Sequence, residues 1–276
     1  MPNSPLISVI TPSYMQGEFI DACIKSVKHQ SYENIEHLIF DAQSSDNTDA
    51  VVKSHLGTYN LYYFSEPDKG QANAINKGLD HAQGDIICWL NSDDLFHNEH
   101  VLAKISNLFQ KHPQIDIITG GGIYITQDGR WLEDIPVNKK AGSLQFMKRA
   151  CLTLQPSTFW RKTDLRLDET LHYAFDWKFF LDMLLQQQQF LVIPDKLSQY
   201  RMHGESKTFQ DSAKRKKEII RVNEYAANNF MQMSWNRFIY QLFVLAEQKN
   251  WPWVKKYANR LNDLLYTLSF GYIYSS

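Results

Sequence analysis

With 276 residues, 43% of them hydrophobic and 21% charged, the chain is long enough for one large globular domain or a domain with an appendage. Its 29 basic and 30 acidic side chains leave a net charge of −1, which excludes the basic excess expected of a nucleic-acid binder. The three cysteines, Cys23, Cys88 and Cys151, lie in apolar stretches with no CxxC or Cys/His spacing; buried thiols in a reducing compartment are expected, not disulfides or zinc.

The opening MPNSPLISVITPSY has neither a basic start nor a long apolar run, so no signal peptide is expected. No segment reaches the roughly 20 apolar residues of a membrane span, and a cytoplasmic protein is expected, with contact at the inner face of the membrane left open. Residues 6–11 (LISVIT) read as a buried strand. A helix follows from Gly17, with Phe19, Cys23 and Val27 on one face. Residues 35–40 form the second strand, which ends at Asp41, and 47–55 a second helix. A third strand at 61–64 leads into Ser65-Glu66-Pro67-Asp68, and a third helix spans 70–82. The fourth strand, 85–90 (DIICWL), is followed by Asn91-Ser92-Asp93-Asp94 and then by a helix carrying Val101, Ile105 and Leu108. Strands alternating with helices across short loops imply a largely parallel sheet.

The pattern then loosens. Residues 115–119 and 123–126 with the turn at Asp128-Gly129 read as a hairpin or mixed region, and 157–161 as a further strand. A helix over 173–185 carries Asp176 near its start. Residues 191–194 and 197–202 read as two short strands before His203. From about Asp211 the chain reads as helical, opening with Lys214-Arg215-Lys216-Lys217 and continuing through many aromatics from Trp235 to Tyr272. These helices suit an anionic membrane surface, packing against the preceding domain, or a homodimer.

The acidic clusters of the first half, at Asp41, Asp68 and Asn91–Asp94, each follow an apolar run, which sets them at the C-terminal ends of strands, where open α/β sheets bind ligands. Carboxylates gathered at one edge repel one another unless a cation or a hydrogen-bonding ligand joins them. A metal-bound diphosphate would satisfy that arrangement. Alone, the Asn91–Asp94 run would serve equally well as a helix cap.

The blocks ISVITPSYMQGEFIDACIKSVKHQSYENIEHLIFDAQSSDNT, SEPDKGQANAINKG with GDIICWLNSDD, QPSTFWR, LDETLHYAFDWKFFLDML and YRMHGESKT occur in one order. Together they resemble the family 2 glycosyltransferases of GT-A fold, over about residues 6–206. The resemblance implies a Rossmann-like α/β fold: a mixed, mostly parallel central sheet flanked by helices, with a donor half at about 1–112 and an acceptor half at 113–206. A helical extension at 207–276 lies outside it. It further implies a nucleotide-diphospho-sugar donor, a UDP-sugar first with GDP and dTDP as alternatives, a divalent cation (Mn²⁺ or Mg²⁺) and inversion at the anomeric carbon. The acceptor is expected to be a glycan or lipid-linked glycan, in surface polysaccharide synthesis.

By the same resemblance Asp93 is the direct metal ligand, the second acid of the family's DxD motif, and His203 a late histidine that reaches the metal or diphosphate. The first acid of that motif is replaced by Asn91, which with Ser92 is expected at the donor. Asp41 matches the base-contacting acid and Asp68 a base- or ribose-facing one; either could instead close an Asx-turn. Thr11, Pro12 and Tyr14 belong to the loop beneath the base. Lys69 could meet the diphosphate or stand as a solvated turn lysine, and Gly70 lets the backbone approach closely at a helix N-terminus, which favours anions. Asn73 stands where many relatives carry Asp. Gln155-Pro156-Ser157 shapes the acceptor side. Asp176 is the general base, since an inverting displacement needs a carboxylate to take the acceptor proton; its aromatic surroundings would raise its pKa and the helix N-terminus would oppose that. Without a QxxRW signature or membrane spans, transfer of one sugar is expected rather than polymer extrusion. Two alternatives are a pyrophosphorylase, which lacks support because no GxGxR-type loop follows the first strand, and a non-catalytic sugar-nucleotide-binding partner subunit.

Overall fold

The computed structural model describes residues 4–204 and 213–226. The chain divides into two units, Met1–Phe209 and Gln210–Ser276. In the first, four short strands, β1 (Ile7–Ser13), β2 (Ile35–Asp41), β3 (Leu61–Ser65) and β4 (Ile86–Trp89), run parallel. They are joined by α1 (Ile20–Lys28), α2 (Thr48–His55) and α3 (Gln71–His81). Every residue of β1 is buried, as expected where helices cover both faces of a parallel sheet. On one face Ile7, Val9, Cys23, Val27, Ile86 and Cys88 share a core with α4 (Val101–Lys111) through Leu102, Ile105 and Phe109. On α3, Gly78 allows contact with β1: a Cβ there would stand 2.3 Å from Ile10 Cγ2.

The rest of the sheet is mixed. β5 (Leu95–Phe96), β6 (Ile117–Ile125), β7 (Trp131–Ile135), β8 (Thr158–Arg161) and β9 (Phe190–Arg201) complete, among the described residues, a nine-stranded sheet of order β3-β2-β1-β4-β8-β6-β9-β5, with β7 paired to β6. β8 runs antiparallel to both β4 and β6, and β6 runs parallel to β9. The C-terminal end of β9 therefore emerges on the same sheet edge as that of β4, which brings the residues after it to the parallel strands' ligand edge. Between β7 and β8 lie α5 (Leu144–Met147) and a 3-10 turn (Gln155–Ser157), and α6 (Phe175–Leu185) precedes β9. Trp89, Trp160, Phe179 and Phe180 pack together beneath α6, with ring centroids 5.4–5.9 Å apart. The second unit contributes α7 (Ala213–Ala226), on which Lys214 and Lys217 are exposed. The aromatic run from Trp235 to Tyr272 lies outside the described residues. Among the described residues no helix is long and apolar enough to cross a membrane.

Three expectations need correction. The two pieces read at 115–119 and 123–126 belong to the single strand β6 (Ile117–Ile125), and those at 191–194 and 197–202 to the single strand β9 (Phe190–Arg201). Cys151 is exposed while Cys23 and Cys88 are buried, because it sits in the loop between α5 and the 3-10 turn and not in the sheet core.

A buried polar chain crosses the parallel strands. Thr11 Oγ1 bonds His37 Nε2 at 2.8 Å, and His37 Nδ1 bonds the Tyr59 hydroxyl at 2.6 Å. Burial drives the His37 pKa down to about 3, so the ring is neutral in the folded protein. The unfolded chain binds this proton near pH 6.5 and the folded chain only near 3. The stabilisation is thus fully present above about pH 6.5 and is lost as pH falls toward 3, with a slope of at most about 1.4 kcal/mol per pH unit from this group. Urea unfolding at pH 7, 6 and 5 should show that decline, and His37→Gln should flatten it. An equally steep decline in the variant would assign the acid sensitivity elsewhere.

Candidate active site

At the C-terminal edge of the parallel strands an open cleft of about 700 Å³ is lined by residues that range from Pro12 to His203. Pro12, Ser13 and Tyr14 line it at the end of β1, with Ala42 after β2. Asp68, Gly70, Gln71 and Ala74 enter at the start of α3, and Asn91, Ser92 and Asp93 after β4. Gln155, Tyr173, Phe175 and Asp176 bring in the 3-10 turn and the start of α6, and Tyr200 and His203 the end of β9. The Ser13 hydroxyl and Gln16 Oε1 are buried cleft atoms without a hydrogen-bond partner among the described residues.

Strand order explains the meeting of Asp93 and His203, which are 110 residues apart. His203 Nε2 lies 3.0 Å from Asp93 Oδ2. The His203 ring packs on Phe19, centroid to centroid 4.7 Å, which fixes its orientation. The buried Arg201 clamps the same loop: its backbone N–H donates to Asp94 Oδ1, its Nε to the Asp93 carbonyl, and its Nη1 to the carbonyls of Thr126 and Gln127. Burial, with the Asp93 charge beside it, holds the Asp94 carboxyl well above the usual carboxylate range; the Arg201 N–H and Asn91 amide oppose this. The sequence reading quoted Arg201 only within the YRMHGESKT block and gave it no role of its own.

Adjacent ligands of an octahedral divalent ion at about 2.1 Å stand about 3 Å apart, and the Asp93–His203 separation matches that spacing. One carboxylate and one imidazole suit Mn²⁺ and also Mg²⁺, though Mg²⁺ less well. Among the described residues no group of three or more His, Cys, Asp or Glu could hold a metal ion.

The other expected site residues take several positions. Pro12, Tyr14, Asp68, Asn91, Ser92, Asp93, Asp176 and His203 line the cleft, while Thr11, Asp41 and Lys69 are not among its lining residues. Thr11 is buried against His37. Asp41, also buried, accepts the backbone N–H and hydroxyl of Ser44 at 2.8 and 2.6 Å. Asp68 accepts the Gly70 N–H at 2.7 Å, an Asx-turn that leads into α3. Gly70 has φ +117°, a left-handed value favouring glycine, and starts a helix whose N-terminus opens on the cleft. Lys69 is exposed. The Asn73 side chain donates to Glu169, as does Asn76, tying α3 to the segment before α6 and holding Glu169 below its ordinary pKa. Asp176 sits in the first turn of α6, where its Oδ1 accepts the Trp177 N–H at 2.7 Å and Phe175 and Trp177 are buried beside it.

The family model for glycosyl transferase family 2 matches residues 8–180. The chain belongs to that family. An uncharacterized glycosyltransferase of Haemophilus influenzae is 28% identical over 227 residues, covering 81% of this chain and 88% of its own. Another, from Rickettsia typhi, is 27% identical over 66% of this chain and 59% of its own length. Among solved structures, S. aureus TarS 1–349 in complex with UDP-GlcNAc matches with a TM-score of 0.66 at 18% identity, over 89% of this chain and 73% of that one. The mannosyltransferase PcManGT from Pyrobaculum calidifontis, in complex with GDP-Man and Mn²⁺, matches with a TM-score of 0.64 at 16% identity, over 99% and 77%. The transferase therefore has the GT-A fold, with its curled, mostly parallel sheet.

Proposed function

We propose that the transferase moves one sugar from a UDP-sugar to a hydroxyl of a glycan or lipid-linked glycan, with inversion and with a divalent cation, in surface polysaccharide synthesis. The observation that carries this reading is that one cleft holds the Asp93–His203 pair and Asp176, with the N-terminus of α3 on the same lining. The residues of β1's end, Pro12 to Tyr14, form the nucleotide's resting surface. The α3 N-terminus, with Gly70 and Gln71, faces the diphosphate, where backbone N–H groups and the helix dipole favour negative charge.

Asp93 and His203 would hold the cation, which when bound supplies Lewis-acid stabilisation of the departing diphosphate. Asp176 receives the proton of the acceptor hydroxyl as its oxygen bonds to the anomeric carbon and the bond to the diphosphate breaks. The Trp177 N–H fixes that carboxylate's orientation. The buried Trp89 and Phe175 make the adjoining wall apolar and keep competing water away.

Thermal unfolding with UDP, GDP, dTDP or CDP, each with and without Mn²⁺, tests the donor site. UDP with Mn²⁺ at about 100 times its dissociation constant should add about 2.7 kcal/mol, with little from UDP alone. No shift from any nucleotide would refute the donor site. A shift without transfer from any UDP-sugar to glycoside acceptors would favour a non-catalytic binding subunit.

A further inference from the structure

We propose that Gln155 and Gln71 are positioning residues that fix residue 91 as an amide, so that this cleft requires asparagine where the family motif has an acid. The chain of bonds has one direction. Gln155 Nε2 donates to the Trp89 backbone carbonyl at 2.7 Å, and a carbonyl can only accept. Gln155 Oε1 is thereby turned toward Asn91, whose Nδ2 donates to it at 3.1 Å and to Asp94 Oδ2 at 3.2 Å. Asn91 Oδ1 then faces Gln71, whose Nε2 donates at 2.8 Å. One backbone carbonyl thus sets the orientation of three side-chain amides.

Those amides come from three separate elements that line the cleft: the first residue of α3, the loop after β4 and the 3-10 turn before β8. The loop carrying Asp93 is held between the other two. A carboxylate at position 91 has no N–H. It would put an oxygen where Nδ2 stands, 3.1 Å from Gln155 Oε1 and 3.2 Å from Oδ2 of the buried Asp94 carboxyl. Both bonds donated by Nδ2 would be lost, the one to Gln155 Oε1 and the one to the Asp94 carboxyl group. The amide answers to Gln155 and Asp94, and an acid there would displace the Asp93 loop instead of adding a metal ligand.

The inference rests on the nucleotide-sugar reading of this cleft, and the experiment separates the two. UDP binding is measured by calorimetry across a Mn²⁺ titration for wild type, Asn91→Asp, the charge exchange Asn91→Asp/Asp94→Asn, and Gln155→Met, together with ligand-free Tm. Asn91→Asp should weaken Mn²⁺-dependent UDP binding about tenfold and should lower Tm. Gln155→Met should act in the same direction, by about threefold. The charge exchange gives the new carboxylate an amide neighbour and should recover about half of both losses or more. Unchanged or tighter Mn²⁺-dependent binding by Asn91→Asp overturns the inference. If Asn91→Asp does not fold, the charge exchange decides: folding with Mn²⁺-dependent binding supports the amide requirement, and failure to fold overturns it. If wild type binds no nucleotide with Mn²⁺, the donor-site reading falls, and the Tm loss with its recovery on charge exchange still decides the amide chain.

Discussion

Asp176→Asn is expected to lower the rate of sugar transfer by about 10³-fold while leaving UDP-sugar binding with Mn²⁺ within about twofold. Asparagine keeps the shape of aspartate and an oxygen to accept the Trp177 N–H, so the first turn of α6 is retained. It cannot take a proton from an attacking hydroxyl. A group that acts only in the transition state lowers the rate without raising the substrate concentration needed, and the split between kcat and KM identifies it. UDP release from a panel of UDP-sugars with simple glycoside acceptors, compared with UDP-sugar affinity from calorimetry, provides both numbers. A fall of less than tenfold would remove Asp176 as the base and direct the search to other cleft residues.

The second large effect concerns the cation. Asp93→Asn should reduce nucleotide stabilisation in the presence of Mn²⁺ to its metal-free level, a loss of about 2.7 kcal/mol at ligand concentrations near 100 times the dissociation constant. The substitution removes the only charge of the Asp93–His203 pair that a hard cation would seek. The loop itself should persist, because Arg201 Nε bonds the backbone carbonyl of residue 93 and not its carboxylate. Ligand-free Tm should therefore move little, and a large drop would mean that Asp93 serves the fold rather than the metal. Retention of the Mn²⁺-dependent shift would place the ion elsewhere.

Most of the parallel half was legible because its physics is local. β1 to β4 and α1 to α4 each carry a single apolar period bounded by turn residues, and their bounds differ from the sequence reading by a few residues at most. β6 was read as two pieces because Gly120-Gly121-Gly122 interrupts its apolar run. Those glycines are where neighbouring backbones come close: a Cβ on Gly120 would stand 2.7 Å from the Asp195 carbonyl, and one on Gly121 2.6 Å from that of Ile135. β9 was split for a related reason. Pro194 cannot donate to a ladder, and pairing with β6 jumps from Thr119–Val192 to Gly121–Lys196 across that stretch. Such irregularities arise from long-range neighbours, which no window of sequence contains.

The site was legible in a different way. Ordered motifs singled out Asp93, His203 and Asp176, and the structure brings all three to one cleft at the sheet edge. The roles of Gln71 and Arg201 were not anticipated. An amide beside a helix start and an arginine at a strand end are common residues in common places, and they acquire meaning only when the partner 20 or 107–108 positions away is known. Asp68 and Asp41 show the converse: both carboxylates accept bonds from nearby turn residues, a use that short-range sequence already suggested.

The path of β9 has a consequence for recombination within the family. Its last residues carry the Arg201 clamp and His203 back to the loop after β4, so the loop that holds Asp93 is completed by chain lying more than a hundred residues downstream. Exchanging everything after α4 for the matching piece of a relative, in search of a new acceptor, would also exchange those two residues and the Thr126–Gln127 carbonyls that hold Arg201. A chimera that keeps the native 125–127 and 201–203 segments and grafts only the stretch around the 3-10 turn and α6 preserves this joint. Modularity in this transferase follows the sheet edge and not a cut point along the chain.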